Sequence, residues 1–332
     1  MNHFLKKIFL FLISGLILTC LVISISIYYF PEKFLGNSGE YYMWAFQSNK
    51  INNTKNKHLN LIIGDSRAMS GINPIIISSK YINMSIGGAT FFEGFQTIKR
   101  LILNKNKIDT LIICYSQYHY ELSDVFQERT LPFKFINNGE LNGLISVEKQ
   151  TNSKINDKSI GEPSVMLNVN RKLLFYRNPI VYWNTYLDNL KWNTVTPEIQ
   201  KMIQSLSVNK GHTFFGQSDS ATSPAIEASM DNFIPNPVLA KYLDSIVFIA
   251  KKQGVKILIT TPPISQLTYN SCNVNYIKDF DMYLKSLNNK YHCTIFNYTT
   301  AYPNSYFGDP SHLNKKGCDK FSRELRSIVF KD

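Results

Sequence analysis

Apolar runs and amphipathic stripes alternate along two parts of this chain. Leu59, Leu61, Ile62 and Ile63 make a short apolar run that predicts one buried strand and stops at Gly64-Asp65-Ser66. Gly71-Ile72-Asn73-Pro74 predicts a turn, and Pro74 suits the first position of a short helix over 75–80. Tyr81 to Ile86 predicts a second strand. Phe92, Phe95, Ile98, Leu101 and Ile102 recur at three- and four-residue spacing, which predicts a core-facing helix over 89–104. Asp109 to Cys114 predicts a third strand. The pattern resumes near Asn236, with a helix over 238–253 closed by Gly254, a strand over 255–261, a helix over 274–291, a strand over 293–298 and a last helix over 315–330. Such alternation implies an α/β fold with a parallel sheet of about five strands and right-handed crossovers.

Two regions depart from that pattern. Residues 119–235 are rich in Asn, Ser, Lys and aromatic residues, and 211–223 reads as a loop. An insertion this long after the third strand lies beside the C-terminal edge of the sheet, and predicts a substrate-binding cap. Its Tyr182, Trp183, Tyr186 and Trp192 either stack on sugar rings, pack the insertion's own core or face a membrane surface. Residues 8–30 carry no charge, over a length that spans a bilayer core as a helix. Lys6 and Lys7 precede the run, which predicts a cytoplasmic tip over 1–7 and an extracytoplasmic, periplasm-facing remainder on the cytoplasmic (inner) membrane. A cleaved signal peptide or lipoprotein leader is the alternative, although no small-x-small site ends the run. Residues 31–57 predict a stalk, with a short amphipathic helix around Tyr41 to Phe46, ahead of a domain over 58–332.

Composition narrows the partners. At 332 residues and 44% hydrophobic, the chain has room for one large α/β domain plus an insertion. The net charge of +12 is either a solvated basic surface or an attraction to an anionic membrane or acidic glycan. No basic run with interleaved aromatics points to nucleic acid. Among the five cysteines, Cys20 lies in the apolar run, Cys114 ends a strand as a small buried hydrophobe, and Cys318 falls in the last helix. Cys272 and Cys293 could pair in an oxidising compartment. No CxxC or His–Cys spacing suggests a metal site, and no cofactor is expected.

Chemistry gathers at strand ends. A turn-former and a hydroxyl after the first strand make a site, because ligands of α/β sheets bind at the C-terminal ends of strands. A serine hydroxyl needs a base to take its proton and donors to hold the oxyanion that follows. Asp309-Pro310-Ser311-His312, just before the last helix, supplies a carboxylate and an imidazole three apart, which could face Ser66 together. Gly87-Gly88 follows the second strand, where a backbone N–H can approach a reacting oxygen closely. Asp65 reads as a turn-former, Arg67 as a cap or an anion binder, and His119 as structural, although it lies near the same sheet edge.

Gly64-Asp65-Ser66, the glycine after the second strand and Asp309-x-x-His312 before the last helix resemble the blocks of the SGNH (GDSL-type) hydrolases, over roughly residues 57–120 and 240–330. The resemblance implies a flavodoxin-like three-layer sandwich, with Ser66 as nucleophile, His312 as base and Asp309 as its orienter. It also implies an oxyanion hole from the N–H groups of Ser66 and Gly88, with Gly87 as the neighbour that could replace Gly88. The family's third block is usually Gly-x-Asn-Asp; here Cys114 is followed by Tyr115-Ser116-Gln117, and Gln117 stands where the donor Asn would. A single N-terminal anchor joined to such a domain is similar to the proteins that O-acetylate alginate and peptidoglycan, and to the D-alanine transfer protein of teichoic acids. That similarity implies acyl transfer to a cell-envelope polysaccharide and a polytopic partner of the membrane-bound O-acyltransferase type. An esterase on the same glycans, or a non-catalytic glycan-binding scaffold, are the alternatives.

Overall fold

Strands buried on both faces need near-continuous apolar runs, and the runs of this chain form such a sheet. The computed structural model describes residues 2–30, 32–35, 39–123, 125–155, 187, 195–297 and 300–331. Three helices come first, α1 (Asn2–Tyr29), α2 (Glu32–Leu35) and α3 (Gly39–Asn53). Then follow β1 (His58–Gly64), α4 (Ser66–Gly71), α5 (Pro74–Ile77), β2 (Tyr81–Asn83), α6 (Phe91–Leu103) and β3 (Lys107–Cys114). The insertion carries α7 (Asn138–Thr151) and α8 (Pro197–Val208). The C-terminal part adds α9 (Pro237–Lys252), β4 (Lys256–Thr260), β5 (Ile264–Ser265), α10 (Gln266–Ser271), α11 (Val274–Tyr291), β6 (Thr294–Phe296), β7 (Ala301–Tyr302) and α12 (Lys315–Val329).

Five strands form one parallel sheet in the order β2-β1-β3-β4-β6, and β5 pairs with β7 in a small second sheet. Strand side chains alternate between faces. Leu61, Ile63, Leu111, Ile113, Ile257 and Ile259 enter one core, with residues of α3, α6, α7, α9 and α11. Ile62, Ile112 and Leu258 enter the other, with residues of α4, α5 and α12. Helices thus cover both faces. The chain leaves β1 for β2 on one side and reaches β3 on the other, so a crevice opens at the C-terminal ends of β1 and β3, where α/β sheets bind ligands.

The first fifty-odd residues differ from the expected anchor and stalk in one respect. Phe4–Ser26 within α1 is 23 residues with a mean hydropathy of 2.8 and no part of it buried, long and apolar enough to cross a membrane. The stalk expected over 31–57 holds instead a helix longer than Tyr41 to Phe46. α3 buries Met43, Trp44, Gln47 and Ile51 in the first core. Its mean hydropathy gave little sign of this, because its polar Gln47 is buried by hydrogen bonding rather than by apolar contact.

Much of the described part of 119–235 packs into the first core. Phe126, Leu131, Phe135, Leu141, Leu144 and Leu206 are buried there. The aromatic residues Tyr182, Trp183, Tyr186 and Trp192 lie outside the described residues. The Cys272–Cys293 pairing is not made, and both are free thiols. They sit at opposite ends of the 18-residue α11, roughly 27 Å long at 1.5 Å per residue, far beyond the reach of a disulfide.

Where the insertion returns, it braces the loop between β7 and α12. Ser218 N–H donates to Gly308 O at 2.9 Å and Ala221 N–H to Asn304 O at 3.0 Å. Gly216 packs backbone to backbone on Gly308, so that a Cβ on Gly216 would lie 2.1 Å from the Gly308 carbonyl carbon. Gly216→Ala is therefore expected to push the Asp309 loop outward and lower stability by about 2 kcal/mol, read as a lower melting temperature of the full chain.

Candidate active site

Between Leu61 and Ile72 every residue is buried except Ser66. Three devices hold it there. β1 ends at Gly64, Asp65 caps α4, and Ser66 is the first residue of that helix. Asp65 Oδ1 accepts the N–H groups of Arg67 at 2.9 Å and Ala68 at 3.2 Å. Asn83 Nδ2 donates to the carbonyls of Ala68 and Ile72, each at 3.0 Å, and ties the far end of α4 to the end of β2.

The imidazole arrives from the other end of the chain. His312 Nε2 lies 2.9 Å from Ser66 Oγ, and its Nδ1 lies 2.7 Å from Asp309 Oδ2. Asp309 Oδ1 accepts the N–H groups of Ser311 and His312, both at 2.7 Å. An ionised carboxylate only accepts, so it selects the Nδ1–H tautomer and leaves the Nε2 lone pair facing the serine hydroxyl. Burial raises the Asp309 pKa, but the hydrogen bond and charge of His312 and the two backbone N–H groups outweigh it and hold the carboxyl below its usual range. Phe215, from the insertion, lies tilted at 34° to the His312 ring with centroids 4.8 Å apart. The structure therefore brings Ser66, His312 and Asp309 together, and their side chains stay partly open to solvent.

The donor candidates divide. Gly87 borders Ser66, because a Cβ on Gly87 would lie 3.8 Å from Ser66 Cβ. Gly88 has φ +74°, a conformation that favours glycine. Among the described residues, neither the N–H of Ser66 nor that of Gly88 donates to another group. Gln117 is a different case. It is fully buried in a tight turn after β3 and makes no hydrogen bond to Ser66, His312 or Asp309 among the described residues. The turn that carries it is tied to Asp65 through its neighbours Ser116 and His119.

What ties that turn is the second oxygen of Asp65. Oδ2 accepts Ser116 N–H at 2.7 Å, receives the Ser116 hydroxyl, and lies 2.7 Å from His119 Nδ1. Burial alone would raise the Asp65 pKa. The hydrogen bond and charge of His119, then the Ser116 hydroxyl and Arg67, overcome it and hold the carboxyl far below its usual range. Arg67 is engaged elsewhere than at the cap of α4. It is buried against Glu227, with guanidinium–carboxylate contacts of 2.8 Å on both nitrogens, over the Tyr118 ring. The sequence placed His119 near the same sheet edge as a structural residue but did not reveal its Asp65 partner; Glu227 and Phe215 come from the insertion and carried no signal as site neighbours. No group of three His, Cys, Asp or Glu among the described residues could hold a metal ion.

A model of an uncharacterised family matches residues 226–332, less than half of the chain. The match includes Asp309 and His312 and leaves out Ser66. No curated protein matches the chain.

The Asp65 network yields a pH dependence. A folded-state pKa below the unfolded value contributes stability that is present above the ordinary carboxylate range and lost as pH falls through and below it. Asp65→Asn should lower stability at pH 7 by about 3 kcal/mol, since it removes one partner of a buried charged network. The gap between wild type and variant should begin to narrow below about pH 4, where the unfolded carboxyl protonates, and go on narrowing as pH falls toward the much lower folded value, which melting curves of both proteins from about pH 2 to pH 8 check.

Proposed function

We propose that this chain is a membrane-anchored serine acyl-ester enzyme of the SGNH type, and that it transfers acyl groups to an extracytoplasmic polysaccharide through a Ser66 acyl-enzyme. The observation that carries the reading is the relay of 2.9 Å from Ser66 Oγ to His312 Nε2 and 2.7 Å from Nδ1 to Asp309. Ser66 Oγ attacks the acyl carbonyl carbon as its proton passes to Nε2. The resulting imidazolium is held by Asp309 and returns the proton to the departing alcohol. An acceptor hydroxyl then gives its proton to Nε2 and attacks the acyl carbon, and the imidazolium returns the proton to Ser66 Oγ as it leaves. The N–H groups of Ser66 and Gly88 receive the oxyanion in both halves.

The sheet order, the helices on both faces and the site at the ends of β1 and β3 support the three-layer SGNH arrangement. The apolar α1 supports a membrane anchor; the reading places the domain on the outer side of the cytoplasmic membrane, with a polytopic O-acyltransferase as acyl supplier. Glycan esterase or deacetylase is the second reading, favoured by the partial exposure of His312 and Asp309, 19% and 30% at the side chain, which admits water to the same acyl-enzyme.

Reaction of the full-length chain in detergent with a fluorophosphonate, followed by intact-mass analysis, tests the nucleophile. One adduct is expected on the wild type, none on Ser66→Ala, and labelling slower by about 10³-fold or more on His312→Ala. A folded wild-type chain that takes up no label would sink the reading. Product analysis with an acyl ester and a sugar acceptor separates transfer from hydrolysis.

A further inference from the structure

Three neighbouring side chains of α3 share one buried face, and all meet the same stretch of backbone. Trp44 Nε1–H donates to Gly87 O at 3.1 Å. Gln47 Nε2 donates to Ser85 O at 3.0 Å and lies 3.3 Å from Asn83 O. Met43 Cε fills the space beside Gly87, 2.6 Å from where a Cβ would stand. The indole of Trp44 is itself fixed, edge-on to Phe133 and Phe135 at centroid distances of 5.8 and 5.4 Å. The stretch that α3 grips, Asn83 to Gly88, is the one that flanks Ser66.

Peptide geometry turns that grip into a direction. A trans peptide is planar, so its C=O and its N–H point opposite ways. Gly87 O and the Gly88 N–H belong to one such unit. With the oxygen held by Trp44, the Gly88 N–H points away from α3. Two successive glycines otherwise leave this peptide free to rotate, since neither neighbour has a side chain to resist it. The contacts of Val125 and Arg129 at Gly88 close the remaining space, at 2.7 Å and 3.1 Å from a would-be Cβ.

We propose that Trp44 is a positioning residue for acyl transfer, which aims the Gly88 N–H at the oxygen of the tetrahedral intermediate while Gln47 secures the base of the same loop. The proposal rests on the reading of Ser66 as nucleophile. It makes α3 a working part of the oxyanion site instead of a spacer.

The test is the fluorophosphonate reaction of the full-length chain, resolved into reagent affinity and maximal rate. Trp44→Phe keeps an aromatic ring and removes the N–H donor. Its maximal rate is expected to fall about 10- to 100-fold with affinity for the reagent unchanged. Benzothienylalanine at position 44, which puts sulfur in place of the indole N–H in a ring of the same shape, should give the same fall and serves if the Phe variant does not fold. A lower melting temperature with a wild-type rate per folded molecule overturns the positioning role and leaves the nucleophile reading intact. No adduct on the folded wild type overturns the nucleophile reading, and this proposal with it.

Discussion

One buried carboxylate ties three segments of the crevice together. Asp65 ends the turn after β1, caps α4 with one oxygen, and with the other holds Ser116 and His119 of the turn after β3. A charge in that position is unfavourable unless several donors surround it, and here every direction is filled. The arrangement fixes the crevice at the sheet's centre before any catalytic group is considered. Ser66 inherits its place from Asp65, as the first residue of a helix that cannot rotate without breaking the cap.

Two further contacts close the site from the far half of the chain. Arg67 and Glu227 make a buried ion pair next to Ser66, and Ala225 N–H is held by Thr268 Oγ1 at 2.9 Å, which links the insertion's end to α10. The loop that carries Asp309 and His312 is braced by the insertion on one side and by α12 on the other, where Asn314 caps the helix. A buried pair such as Arg67–Glu227 is weak evidence for stability, because desolvation offsets much of its attraction. Its effect is on register. The charges match at one placement of the insertion's end over α4, and a shifted placement leaves both buried and unpaired.

What the sequence made legible was local. The apolar runs at 59–63, 109–114 and 255–261 announce strands buried on both faces, and the Gly-Asp-Ser and Asp-x-x-His segments sit where a sheet places its chemistry. Boundaries moved little except at β2, which ends at Asn83, because the chain bends after it while Met84 and Ile86 still donate to Ile62 and Gly64 of β1. The misses have physical causes. α3 was taken for part of a stalk because its buried positions include Gln47, whose partners are carbonyls far along the chain, a contact that no local pattern records. The Cys272–Cys293 pair was considered without the length of the helix between them, although the periodicity over 274–291 announces that helix.

The hydrogen bond between Ser66 and His312 spans 246 positions of chain. Synthesis runs from the N-terminus, so α4 and all five strands of the main sheet are made before the imidazole is. α12, which packs against α4 and α5 in the second core, comes last. Until it docks, the hydroxyl of Ser66 has no imidazole beside it. A chain stopped short of its last segment would carry Ser66 and the whole gripping loop yet lack the contact between them and His312. On the proposed reading, the relay is therefore completed only at the end of folding, and an incomplete copy would hold a serine without its base.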